Sequence, residues 1–128
     1  MKKVFLILVA IIGFGIGASA QSPESVAKKF CTAVYQRDMV TAKSYMTAED
    51  ARRTPDNMQL SDEECRMLMN NLNKATFKII KNEYTDKIVT VRFYDPKLEY
   101  LAKNNRWFCC SVELLNNNGV WKVRTYGF

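Results

Sequence analysis

A change of hydrophobic period near residue 75 constrains this 128-residue chain more than any other feature. Before it, apolar residues recur every three or four positions. After it they alternate with polar ones, and β-branched and aromatic side chains take over. A chain written this way builds helices first and an antiparallel sheet second, and the sheet cannot leave its apolar face in water. The expectation is an α+β domain whose N-terminal helices pack on one face of a curved four-stranded antiparallel sheet.

Local signals place the elements. Ser22 is set to cap a helix opening at Pro23, with Glu24 beside its positive end, and Val26, Ala27, Phe30, Cys31, Ala33 and Val34 form its buried stripe up to Tyr35 or Gln36. Asp38 caps a second, short helix over 39–46, with Met39, Ala42, Tyr45 and Met46 on its apolar side. Residues 47–60 are polar, contain Pro55, and read as loop with one helical turn after Thr47. Ser61 and Glu64 form a capping box that starts a helix through Cys65, Leu68, Met69 and Leu72 to about Asn73.

The sheet half reads as strands over 76–84, with Phe77 and Ile79 on one face, and over 88–94, with Val89, Val91 and Phe93 on one face. Residues 85–87 turn between them, and Asp95-Pro96 ends the second because proline has no ladder donor. A third strand is expected over 107–115, and Asn116-Asn117-Asn118-Gly119 is a hairpin signal leading into a fourth over 120–126.

Ahead of all this, Lys2 and Lys3 precede an apolar run over 4–16 and then Ala18-Ser19-Ala20, the order of a secretory signal peptide. That run holds 13 residues, against the roughly 20 a membrane span needs. Cleavage after Ala20 is expected, leaving Gln21 first in a single periplasmic or secreted domain over 21–128 with no stable membrane anchor. The nearest cysteine is Cys31, so no thiol stands at the cleavage site for lipid attachment. Lys2 and Lys3 leave with the leader, so 17 basic and 13 acidic side chains remain, a net charge of +4. The basic residues are scattered without a stripe or a nucleic-acid module, so nucleic acid is not an expected partner.

Four cysteines in an exported chain of this size point to structural cystines or buried thiols. Four thiols allow three pairings. Cys109 and Cys110 are neighbours on a strand, where adjacent side chains face opposite ways, so they should not bond to each other. Cys31 lies on the apolar helical stripe and Cys110 shares parity with Phe108, Val112 and Leu114, which favours Cys31 with Cys110 and Cys65 with Cys109. The chain has no histidine and no C-x-x-C spacing, so neither a metal nor another cofactor is expected.

No pattern for nucleophilic or phosphate chemistry occurs. Glu83, Asp86, Asp95, Glu99 and Glu113 could supply carboxylates, but their turn or outward positions read as solvated surface. In the group Met58, Met67 and Met69, the last two are two residues apart and cannot share one helix face. Tyr45, Phe93 and Trp121 are the candidate lining of a ligand pocket, in a set of aromatics that also satisfies core periodicity.

Two segments carry a family resemblance. Residues 30–46, with Arg37-Asp38 and then Ala42, Tyr45 and Met46, resemble the first-helix and short-second-helix signature of the nuclear transport factor 2-like superfamily. Asn118-Gly119-Val120-Trp121-Lys122-Val123 is similar to its closing hairpin, and the likeness extends over nearly all of 21–128. The resemblance implies a cone of bent sheet wrapped around helices, and places the chain with small secreted bacterial domains of unknown function. Enzymatic members keep acid and base groups in the cone, but no catalytic residue carries over. The expected role is therefore a non-enzymatic exported domain binding a small apolar ligand or an envelope protein. The alternative is an isomerase or dehydratase using a buried carboxylate. A homodimer through the open sheet face, lined by Thr90, Arg92 and Trp107, is a further expectation.

Overall fold

The computed structural model describes residues 21–56, 61–96 and 111–127. Helices α1 (Pro23–Tyr35), α2 (Met39–Ser44), α3 (Ala48–Arg53) and α4 (Asp62–Lys74) precede strands β1 (Thr76–Lys81), β2 (Ile88–Tyr94), β3 (Ser111–Asn117) and β4 (Val120–Gly127). The strands form one antiparallel sheet in the order β1-β2-β3-β4. The α+β architecture expected from the period change is the one observed.

The helix ends follow from their sequences. Ser22 Oγ accepts from the Ser25 N–H, and Pro23 occupies the first turn, where its missing donor costs nothing. At the other end of α1 the Asp38 N–H donates to the Ala33 carbonyl and the Arg37 N–H to the Val34 carbonyl. This is a Schellman closure with Arg37 at φ 61°, a left-handed position that glycine usually takes. Arg37 also pairs with Asp62 at 2.7 Å, joining this turn to the start of α4. There, Ser61 and Glu64 make both reciprocal bonds of the capping box.

The core lies between the helices and the inner sheet face. Val26, Phe30, Cys31 and Val34 of α1 and Leu68 and Leu72 of α4 are buried against Val89, Val91 and Phe93 of β2, Val112 and Leu114 of β3, and Val123 of β4. Alternation is strict on β2 and holds on β3 as far as Leu115, because a strand covered on one side buries every second residue. The β3–β4 hairpin turns through Asn118 at φ 56° and Gly119 at φ 88°, and the Gly119 N–H is held by Asn116 Oδ1 at 2.8 Å. Both central residues thus have the positive φ that a right-twisted two-residue hairpin demands.

β3 runs on to Asn117 rather than ending at residue 115, leaving a two-residue turn, and three other boundaries differ from the sequence expectation for a local reason. Strand β1 ends at Lys81 rather than residue 84, because Asn82 Oδ1 accepts from the Tyr84 and Thr85 N–H groups and draws the chain into a side-chain-held turn. Helix α2 stops at Ser44, because the next residues pair with β4. The turn after Thr47 is the six-residue helix α3, capped by Thr47 and carrying the Arg53–Asp50 ion pair. The expected start of the third strand, with Trp107, lies outside the described residues.

Candidate binding surface

The two edges of the sheet are built differently. At β4 the Val123 N–H donates to the Tyr45 carbonyl at 2.7 Å and the Thr47 N–H donates to the Val123 carbonyl at 3.0 Å. Met46 thereby forms a parallel bridge with Val123. Lys122 Nζ adds a bond to the Ser44 carbonyl at 3.0 Å. The connection between α2 and α3 closes this edge, and Met46 and Val123 are buried beneath it.

At β1 no described strand pairs with the outer side. The Asn82 N–H donates to the Ile88 carbonyl, and the same register pairs Ile80 with Thr90, Lys78 with Arg92 and Thr76 with Tyr94. Hydrogen-bonded and non-bonded pairs alternate along an antiparallel ladder. The N–H and C=O groups of Phe77, Ile79 and Lys81 are therefore the ones directed away from β2. These residues sit opposite Phe93, Val91 and Val89, all buried, so their side chains lie on the sheet's inner face. Yet the helix layer does not reach them: Phe77 is 48% exposed and Ile79 40%. Ile80 on the other face is exposed too. Among the described residues neither Lys78 nor Lys81 has an ion-pair partner, and both are exposed.

A groove of about 490 Å³ runs between α1 and α2 and is lined by Ser25, Lys28, Thr32, Asp38, Thr41 and Tyr45 among others. Asp38 is committed to the fold there. Thr41 donates its hydroxyl to one carboxylate oxygen at 2.7 Å and its N–H to the other at 3.1 Å, which holds the Asp38 carboxyl below the usual carboxylate range.

Tyr45 lines the helical groove, Phe93 is buried in the core, and Trp121 packs partly buried against the core from β4. Cys31 and Cys65 are buried, and no disulfide joins them to each other. The pairings expected with Cys110 and Cys109 fall outside the described residues, as do Met58, Glu99 and Trp107. Glu113 pairs with Arg124 at 3.1 Å on the outer face, and Arg92 lies over the Tyr94 ring. Thr90, Arg92 and Tyr94 share that face and are half-buried. Among the described residues no polar or charged side chain is buried, and no cluster of His, Cys, Asp or Glu suits a metal ion.

Sequence reasoning assigned Phe77 and Ile79 to one face of a strand but did not single out the edge they form. The available signal was position: the first strand of a meander has one neighbour, and this one carries lysines at 78 and 81. Comparison with protein-family models, with curated proteins and with solved structures found no match, so the likeness to the nuclear transport factor 2-like superfamily stands on the two sequence segments alone.

Proposed function

We propose that residues 21–128 form an exported, non-enzymatic binding domain that takes an extended segment of a protein partner along β1. The observation that carries this reading is an edge strand with outward backbone groups beside Phe77 and Ile79, both left exposed on the face that β2 and β3 bury against the helices. A strand added there gains main-chain hydrogen bonds and removes apolar surface from water at once. The N-terminal pattern of residues 1–20 supports export.

Charge selects the partner. A segment on this edge meets Lys78 on the outer face and Lys81 at the end of the inner face, with Arg92 beside Lys78. Apolar residues opposite Phe77 and Ile79 and acidic ones opposite the lysines complete the match. A second copy would bring its own lysines to the same line, so an acidic partner is favoured over self-pairing. A small apolar ligand between helices and sheet is the weaker reading, because Phe30, Leu68, Leu72, Val91 and Leu114 fill that space. An isomerase or dehydratase needs a carboxylate inside, and no described one is buried.

The test uses synthetic peptides alternating valine with glutamate or with lysine, read by fluorescence anisotropy. The glutamate peptide should bind and the lysine peptide should not. Lys78→Glu should weaken the glutamate peptide by about fivefold or less, the range of one exposed charge pair. Ile79→Pro removes an outward N–H while sparing the ladder to β2, so it should abolish binding in a folded protein. Equal binding of both peptides, or undiminished binding to Ile79→Pro, would sink the proposal.

A further inference from the structure

Resting on the export reading above, we propose that Gln21, once freed as the first residue, closes to a pyroglutamate with the help of Lys29. Three observations meet at this position. The small-residue pattern Ala18-Ser19-Ala20 places the expected cut immediately before Gln21. Gln21 directly precedes Ser22, the N-cap of α1. Nearly two helical turns into α1, Lys29 Nζ donates to Gln21 Oε1 at 2.8 Å, so the side-chain carbonyl is already held by a cation.

The chemistry is an internal acyl transfer. The lone pair of the new α-nitrogen attacks Cδ of the carboxamide, and a five-membered lactam C–N bond forms. The Cδ–Nε2 bond breaks, and Nε2 leaves as ammonia carrying the proton given up by the α-nitrogen. No oxidant, metal or second substrate is consumed. Negative charge develops on Oε1 during the attack, and the Lys29 ammonium stands where it stabilises that charge. The attacking amine must be neutral, so the rate should climb as pH rises towards the usual α-amino range of about 7.7 to 8.0.

The helix adds a driving force. A free α-ammonium at Gln21 would sit beside the positive end of α1, the unfavourable place for a cation. Lactam formation removes that charge and keeps the carbonyl oxygen as the acceptor for Lys29. The product is a blocked N-terminus without a charge ahead of the first turn.

The experiment expresses the full chain with its own leader in a host lacking glutaminyl cyclase and follows the intact mass of the exported protein over time. A chain starting at position 21 that loses one ammonia and becomes refractory to N-terminal sequencing is the expected result. Lys29→Met, an exposed substitution, should slow the loss by about two- to fivefold, as one exposed charged contact allows. Gln21→Glu should keep its free amine on the same timescale. A protein that starts at Gln21 and holds its ammonia overturns the inference, and so does an unchanged rate in Lys29→Met. A mass showing residues 1–20 still attached overturns the export reading instead, and this inference with it.

Discussion

The β4 edge and the β1 edge bound one sheet, yet among the described residues the first is bonded to the chain at Val123 and the second has no partner strand. At β4 the chain returns after α2 to lay Tyr45, Met46 and Thr47 along Val123, and the backbone groups of Val123 are bonded within the domain. At β1 the groups of Phe77, Ile79 and Lys81 face outward, and the edge is marked by lysines. Edge strands in monomers are kept apart by charge or by cover. Among the described residues this domain uses cover at one side and charge at the other, and β1 is where the proposed partner strand would add.

Proline is the sharpest way to separate the two edges. Val123→Pro should cost about 3 kcal/mol or more, because it removes the donor to the Tyr45 carbonyl and truncates a fully buried side chain. Ile79→Pro should cost far less, and a chemical denaturation series on both variants decides it. Similar losses at the two positions would show that β1 is closed in solution.

Core truncation gives the next contrast. Leu114→Ala, beneath α1, should lower stability by about 2 to 5 kcal/mol. Ile79→Ala, on the same sheet face, should lower it by less than about 1 kcal/mol. A large loss at Ile79 in the isolated protein would mean that its side chain is covered after all.

The smallest effect concerns the covered edge alone. Asp38 caps α2, the helix that delivers Tyr45 to Thr47 onto β4. The two bonds from Thr41 lower its folded pKa below the unfolded value of about 3.9, so the cap's contribution is complete above that pH and fades as pH falls through the folded pKa. Asp38→Asn keeps an acceptor but cannot titrate, and should flatten the acid limb of the thermal-melt profile below about pH 4. An unchanged acid limb would show that the cap does not govern the β4 edge.

Much of the fold was legible because the signals are local. Ser22-Pro23, the Ser61–Glu64 box and Asn118-Gly119 each satisfy their own backbone groups within a few residues, so their meaning does not depend on the rest of the chain. Strand β2 was readable for a related reason: Val89, Val91 and Phe93 are buried as alternation requires. The candidate site was less legible. Phe77 and Ile79 obey the same alternation as Val91 and Phe93, and nothing in their own segment says that the helices stop short of them. Nor does Tyr45-Met46-Thr47 announce that it will seal an edge formed by a residue far along the chain.

From the sequence alone, three of this protein's helices, its hairpin, its α+β class and the inner faces of β1, β2 and β3 were determined, because period and capping act over one or two turns of chain. Which part of that inner face is covered, and which sheet edge is closed, were decided by tertiary structure. Those outcomes depend on where a finite helical layer lands on a wider sheet, a matter of reach and packing between segments distant in the chain.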